Sequence, residues 1–536
     1  MSSSDASARN AAPEHHAPRA PDSAPPASPA TGRPPGRPAG QPAVRPLARP
    51  FARLLVPAVL VPAVPALLSL AFGLWGLGRE HSMWRDEAAT WQVANRSAAD
   101  IVRLLGTTDV VHGLYYLFMH ALFEIFGGTL LTLRLPSVLG VVAATALTAA
   151  TGRRLAGNWA GLSAGLAFTV LPVVQRYQQE GRSYALVTAC VAGAAWMLVT
   201  ALQRKRRRYW WGCAALLLTA GLLNWFSLLA LPAFAVTVAI AARRGARRTA
   251  RAWALPLAVV VLGSLPLILA SRSQADQVSW IKPPTPATLI GLLAMAVVAV
   301  AAAFLPHPRS GPASTASVAL PLLLVPQSAL VLISLVKPVY VDRYVVFAQI
   351  GAALMIGLIL GVGATAAHAR WPLVRPWAPI AAVCGAAVLA LLPVETGLRA
   401  PASRVDDVFA PAEVVSAVSR PGDGVLFLPA ARRDTALVSP ARFDGLKDLA
   451  LTESPLQSRT LKGEEGSPAH IRSAILKSSR IVLITDAKPA SGAARRDAAK
   501  RDTLADHFVR SSDTVVRGRR VEVYEKKQPA GRPVGR

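Results

Sequence analysis

Apolar runs long enough to cross a bilayer recur along most of this chain, and no other sequence feature limits its fold as strongly. They fall at about residues 54–77, 135–152, 158–174, 183–202, 209–225, 226–242, 252–270, 286–305, 317–336, 345–366 and 376–393. About 20 apolar residues in a helix span the hydrocarbon core, where backbone polar groups must be satisfied internally, so such a chain is predicted to be an all-α polytopic membrane protein of about eleven spans. With 52% hydrophobic and 16% charged residues, a soluble enzyme is excluded. The first run is too long for a signal core, follows a long tail and lacks a clear cleavage site, so it reads as a retained span. Only Asn224 to Ser227 separate the runs 209–225 and 226–242, which predicts a helical hairpin with a minimal turn.

Charge then orients the bundle. Lys and Arg number 58 against 30 Asp and Glu, an excess that in a soluble protein would point to nucleic acid. Here no nucleic-acid motif accompanies it, and the cations gather in alternate loops: Arg153 and Arg154, Arg204 to Arg208, the arginines between Arg243 and Arg251, Arg309, then Arg370 and Arg375. The positive-inside bias places these loops in the cytoplasm of a multi-pass plasma-membrane protein, facing anionic lipid headgroups. Loops 78–134, 175–182, 271–285 and 337–344, and the chain after about 394, then lie outside. Counting Gly113 to Phe126 as a span would invert Arg153 and Arg154, so this run is read as an interfacial helix.

Three parts follow. Residues 1–53 hold twelve prolines, seven arginines and no lysine, a composition predicted to be a disordered cytoplasmic tail. Residues 54–394 form the membrane domain. Residues 395–536 read as a small extracytoplasmic α/β domain with a basic end, its strands predicted at Gly424 to Leu428, Arg480 to Thr485 and Val521 to Tyr524, its helices at Ala412 to Ser419 and His470 to Ser478. Asp406 and Asp407 open it, as a linker or helix start or, alternatively, as a sugar or cation contact. Cys190, Cys213 and Cys384 lie in apolar segments without the spacing of a redox or zinc motif.

The spans contain almost no ionisable residues, whereas carriers usually place such groups at mid-membrane. The chemistry-bearing residues collect in the outer loops. His81-Ser-Met-Trp-Arg-Asp-Glu-Ala-Ala-Thr-Trp91 places Asp86 and Glu87 directly after the first span, as a base and a possible metal contact or, more simply, as part of a solvated turn. Asp109-Val-Val-His-Gly-Leu-Tyr-Tyr116 offers His112, Tyr115 and Tyr116 for a carboxylate, phosphate, sugar or headgroup, with a packed loop histidine as the plain alternative. Gln178-Gln-Glu-Gly-Arg-Ser-Tyr184 adds Glu180, Arg182 and Tyr184, and Val341-Asp-Arg-Tyr344 adds Arg343 and Tyr344. A guanidinium fork suits a lipid phosphate, whether of a substrate or of an outer-leaflet anchor.

The ordered set is more specific than its members: Asp-Glu in the first outer loop, His-x-Leu-Tyr-Tyr before an apolar helix, Arg134-Leu-Pro-Ser, Gly152-Arg-Arg-Leu-Ala-Gly, Gln-Glu-x-Arg-Ser-Tyr, then Asp-Arg-Tyr. Over residues 54–394, and most strongly over 80–190, it resembles the integral-membrane glycosyltransferases of the C superfamily. In particular it resembles the family 39-like group related to protein mannosyltransferases and lipid A aminoarabinose transferases. The resemblance implies a polyprenyl-phosphate sugar donor, with mannose a candidate cargo, and an unidentified extracytoplasmic acceptor that is a polysaccharide, lipid or protein. It also implies Asp86 as base or metal contact with Glu87 beside it, and Arg182 and Arg343 on the donor phosphate; a divalent cation is left open and no other cofactor is expected. Many relatives carry His-Pro-Pro where this chain has His112-Gly113-Leu114, and Ala at Gly181. Independently, no Gly-rich phosphate loop serves a nucleotide sugar, so an outward-facing transferase needs a donor delivered in the bilayer. Attack opposite the departing phosphate predicts inversion. A multi-span transporter or flippase, and a non-catalytic envelope scaffold, are the alternatives.

Overall fold

The computed structural model describes residues 48–274, 281–306, 311–488 and 494–527, with side chains from Pro57. Most of the expected tail, Arg309 and the basic chain end therefore lie outside the described residues. Helices run in the order α1 (Ala48–Leu74), α2 (Arg85–Ala94), α3 (Ala98–Leu105), α4 (Gly113–Phe126), α5 (Leu130–Ala156), α6 (Asn158–Val170), α7 (Pro172–Gln178) and α8 (Tyr184–Arg204). They continue as α9 (Arg207–Leu223), α10 (Ala230–Arg243), α11 (Arg248–Arg272), α12 (Pro286–Ala302), α13 (Thr315–Ser334), α14 (Gln349–Arg370) and α15 (Trp377–Arg399). Each apolar run of the sequence is helical, and eight of the helices are long and apolar enough to cross a membrane. The chain is a multi-pass membrane protein.

Departures from the expected boundaries have local causes. The run 158–174 is broken at Leu171, because Pro172 disfavours helical backbone in the residue before it; α7 starts there and carries Gln175 and Gln178 to carbonyls of neighbouring segments. The 209–242 hairpin forms, with the Asn224 side chain accepting from Phe226 N at 3.1 Å to start a single 3-10 turn before α10. Besides the helix expected at Gly113 to Phe126, the first outer loop contains α2 and α3; Ser97 caps α3 by accepting from Asp100 N. The run Gly113–Phe126, expected at the interface, is α4, at 14 residues too short to span, and ends at Gly127, whose φ of 78° favours glycine.

Small residues bring the central helices together. A Cβ on Gly357 of α14 would lie 2.6 Å from the Ala160 carbonyl oxygen of α6, and one on Gly161 of α6 would lie 2.6 Å from that of Ala149 in α5. In lipid, where apolar burial does not itself drive helices together, such close backbone approach supplies the packing. The helices α5, α8 and α14 share a polarity: each starts beside the first long loop or the 179–183 and 341–344 turns, and each ends at a basic loop.

Beyond α15 the chain forms an α/β domain comprising α16 (Phe409–Val418), β1 (Gly424–Leu428), α17 (Asp434–Val438), β2 (Lys447–Asp448), β3 (Leu451–Glu453), β4 (Glu464–Glu465), α18 (Pro468–Lys477), β5 (Arg480–Asp486), α19 (Arg495–His507), β6 (Phe508–Val516) and β7 (Arg519–Lys526). Five strands make one sheet in the order β2-β1-β5-β7-β6, parallel among β2, β1 and β5 and antiparallel beyond; β3 and β4 form a separate pair. Leu426, Ile481 and Leu483 face α18 and α19, while Val425, Phe427 and Val482 face α16, so both sheet faces are covered.

The glycine contacts are testable. Gly357→Ala should lower the thermal stability of the detergent-solubilised protein by about 1–3 kcal/mol through overpacking, whereas Gly363→Ala, with open space around its Cβ, should leave it unchanged or slightly raised. Equal unfolding midpoints for the two variants would contradict this packing.

Candidate active site

The site starts from a turn that few sequences adopt. After α1, Arg79, Glu80 and His81 all have left-handed backbone, with φ of 44°, 50° and 56°. Such a run is unfavourable for non-glycine residues and needs an anchor. The anchor is Arg79, which is buried and pairs with Glu87. Asp86 and Glu87 are consecutive on α2 and therefore point about 100° apart around its axis. Glu87 enters the protein and Asp86 stays at its edge.

Glu87 is fully buried and its oxygens are shared among several donors. Arg134, at the start of α5, binds both of them, Nε to Oε1 and Nη2 to Oε2 at 2.8 Å each, and Gly181 N donates to Oε1 at 3.0 Å. The remaining reach of Arg134 goes to the carbonyls of Leu77 and Ser82. Burial alone would raise the Glu87 pKa, but Arg134 and Arg79 outweigh it and hold the carboxyl down to about 2. Gly181 must be small here: a Cβ would meet Leu133 at 2.5 Å, and its carbonyl accepts from Thr90 Oγ1 at 3.0 Å. Glu87 thus ties α1's end, α2, α5 and the 179–183 turn together.

Around Asp86 the other expected residues gather. Its carboxylate, 22% exposed, lies 3.5 Å from Nη1 of Arg343, itself 13% exposed. The Arg343 guanidinium sits 5.7–5.9 Å from the rings of Trp84, Tyr184 and Tyr344, an aromatic surround that holds it by cation–π attraction. Tyr344 stacks on Phe226 at 4.5 Å, and Tyr184 packs edge-on against Tyr177, whose hydroxyl donates to Asp342 at 2.8 Å. Arg182 lies beneath: Nη1 donates to the Asp86 carbonyl at 3.2 Å, and Nη2 donates to His112 Nε2 at 2.8 Å. Burial, then the charges of Arg182 and Arg343, push the His112 imidazole well below its usual pKa, so it is neutral and Nε2 is its acceptor. Tyr116 donates to Asp109 at 2.7 Å beside His112. The Tyr115 hydroxyl, His112 Nδ1 and Arg182 Nε are enclosed without a partner among the described residues.

Two expected site residues are therefore built into the frame. Glu87 holds the loop, and Glu180 is buried against Arg404 at 2.8 Å, from the segment that leads into the α/β domain. Burial raises the Glu180 pKa, partly offset by Arg404. The Asp86–Glu87 pair does not fit a shared cation: both Glu87 oxygens are engaged by guanidinium groups, and Asp86 faces a third. No group of three or more His, Cys, Asp or Glu is arranged for a metal among the described residues. Sequence reasoning quoted Trp84, Thr90 and Arg134 within motifs without assigning them here, and missed Arg79 and Arg404. The one available signal was a lone arginine, Arg134, opening an apolar span.

Residues 113–269 match the family model described as Dolichyl-phosphate-mannose-protein mannosyltransferase. Among solved structures the chain is similar to ArnT from Cupriavidus metallidurans in the apo state, with a TM-score of 0.55 and 12% identity over 88% of this chain and 98% of that one. Further likenesses are to the same protein bound to undecaprenyl phosphate (0.49, 13%, 89% and 98%) and to the Archaeoglobus fulgidus oligosaccharyltransferase in the apo form (0.45, 12%, 79% and 69%). No curated protein matches the chain at a significant level. At 12% identity the likeness to ArnT is one of fold, and it is the fold that the sequence resemblance implies. The family model covers residues 113–269, less than half of the chain, and beyond that stretch the likeness is one of fold.

Removing one partner of a buried ion cluster leaves uncompensated charge. Glu87→Gln should therefore cost about 3–5 kcal/mol of stability at neutral pH. Because the folded pKa is depressed, this stabilisation is complete above the ordinary carboxyl value of 4.5 and is lost as pH falls towards about 2. Unfolding midpoints of wild type and variant should converge over that window; a pH-independent gap would contradict the assignment.

Proposed function

We propose that this protein transfers a sugar, with mannose the first candidate, from a polyprenyl-phosphate donor to a hydroxyl-bearing acceptor on the outer side of the plasma membrane, with Asp86 as base. One observation carries the reading. Of Asp86, Glu87 and Glu180, only Asp86 keeps a partly open carboxylate, and it does so 3.5 Å from a partly open guanidinium. The donor class is supported by the dolichyl-phosphate-mannose named in the family description. The orientation is supported by the shared polarity of α5, α8 and α14, whose basic ends lie opposite the site.

The acceptor oxygen attacks the anomeric carbon as its proton passes to the Asp86 carboxylate. The bond from that carbon to the phosphate oxygen breaks on the opposite face, and polyprenyl phosphate leaves as a monoester. The leaving group departs already charged, so no strong general acid is needed; Arg343 contacts the phosphate, and Arg182 adds positive potential from beneath. The aromatic rings around Arg343 keep the guanidinium in place without neutralising it. Opposite-face attack makes the product anomerically inverted. The enclosed Tyr115 hydroxyl and His112 Nδ1, without a partner among the described residues, are the groups proposed to meet donor sugar hydroxyls.

In proteoliposomes supplied with polyprenyl-phosphate [3H]mannose and a cell-envelope extract as acceptor, Asp86→Asn should slow label transfer at least 100-fold while inserting normally. Arg343→Ala should raise the donor KM about 10- to 100-fold, the cost of one charge-assisted contact. Full activity of the Asn variant removes the proposed base. An unchanged donor saturation curve for the Ala variant removes the phosphate contact, and a retained anomer removes the single displacement.

A further inference from the structure

The helix that carries Asp86 lacks a cap of its own. Its N-cap residue, Trp84, has no side-chain acceptor, yet the first amides of a helix need one. The acceptors come from more than 300 residues away in sequence, at the entrance to the α/β domain. Asp406 Oδ1 accepts from Arg85 N at 3.2 Å, and Asp407 Oδ1 accepts from Met83 N at 3.0 Å. The Arg85 side chain lies 3.1 Å from Asp406 Oδ2, and Val408 N donates to the Met83 carbonyl at 2.8 Å.

We infer that Asp406 and Asp407 are positioning residues through which the α/β domain caps α2 and sets Asp86 against Arg343. This rests on the proposed role of Asp86. Asp406 satisfies the first orphan amide of α2, that of Arg85, while Asp407 fixes the Met83 amide just before the N-cap; both carboxylates favour the helix dipole, and Asp86 is the second residue of the turn so held. The two aspartates are themselves fixed. Asp406 Oδ2 accepts from Arg519 Nη2 at 3.1 Å, and Arg519 is held independently by Asp434 at the start of α17. Asp407 Oδ2 accepts from Arg517 at 3.0 Å, its Oδ1 also accepts from Phe409 N at the start of α16, and its own amide donates to the Arg517 carbonyl. Between those arginines Gly518, at φ +82°, lies so close that a Cβ would meet Asp406 Cα at 2.9 Å. The β6–β7 turn, the aspartate pair and the first turn of α2 therefore form one connected set. Glu87 anchors the buried side of α2, and the aspartates anchor its entrance.

The test uses the full-length protein in lipid nanodiscs with two readouts: amide hydrogen exchange over residues 83–90, and the kcat and donor KM for label transfer from polyprenyl-phosphate [3H]mannose. Asp406→Ala should speed exchange at 83–90 roughly tenfold, leave α5 and β5 protected, and lower kcat roughly tenfold at unchanged donor KM. Asp406→Asn, which keeps an acceptor oxygen for Arg85 N, should show smaller changes in both. If the Ala variant loosens the whole α/β sheet, the Asn variant decides by the same readouts. Unchanged exchange at 83–90, or faster exchange with kcat intact, overturns the inference. Failure of the functional reading is seen separately, as full transfer by Asp86→Asn or a wild type inert towards this donor, and in the latter case the exchange readout alone still decides the cap.

Discussion

The carboxylate of Glu87, closed in by Arg79, Arg134 and the Gly181 amide, is the contact on which the rest of the site depends. Bringing three charged groups out of water is costly, and their mutual attraction offsets that cost only when geometry and further hydrogen bonds are good. Arg134 meets the condition by donating also to Leu77 and Ser82. The cluster draws together parts of the chain with no reason of their own to meet: the turn after α1, the start of α5 and the turn before α8. An apolar plug could fill the same volume, but it would not dictate the register of α2. A bidentate guanidinium does, because it accepts the carboxylate in one plane.

With the register set, neighbouring residues take different parts. Asp86 and Glu87 differ by one carbon and one position, yet one is sealed among cations and the other keeps an open edge. The arginines divide similarly. Arg182 is committed to the Asp86 carbonyl and to His112, while Arg343 reaches the site's edge from among aromatic rings. A neutral His112 beside Arg182 follows from its burial and, after that, from two nearby guanidinium groups. The imidazole thus accepts a hydrogen bond and orients Arg182 without adding a third positive charge.

Much of the frame was legible in the sequence, because lipid imposes a length and a composition that local reading detects. The apolar runs became helices, and Gly424–Leu428 and Arg480–Asp486 became central strands, since short apolar runs between polar turns leave few other options. The strand β6 escaped: Phe508–Val516 buries Phe508 but little else and lies on the sheet edge, so no apolar run marks it. The motif order located Asp86, His112, Arg182 and Arg343 in one neighbourhood. It could not divide them into sealed and open groups, because that depends on partners far away in the chain: Glu87 on Arg134, Glu180 on Arg404, and Arg85 on Asp406. Asp406 and Asp407 resemble any acidic linker in sequence, and only the fold reveals which amides they meet.

The distribution of packing explains why the site lies where it does. Helices α8 and the segment ending in α14 bury 72% of their apolar windows and α5 buries 50%, whereas α11 buries 17% and α15 only 6%. Arg182 and Tyr184 stand at the start of α8, Arg343 and Tyr344 immediately before α14, and the Arg134 that holds Glu87 in the first turns of α5. Arg134, Arg182, Tyr184, Arg343 and Tyr344 are thus mounted on better-packed members of the bundle. The proton transfer and phosphate contact proposed for this site must be held to fractions of an ångström, which loosely held helices in lipid do not provide. The α2 helix is the exception: it is only ten residues long and buries Glu87, Ala88, Thr90, Val93 and Ala94 alone. That is the element for which the chain recruits constraints from both directions, buried guanidinium groups on one side and the aspartates of the α/β domain on the other.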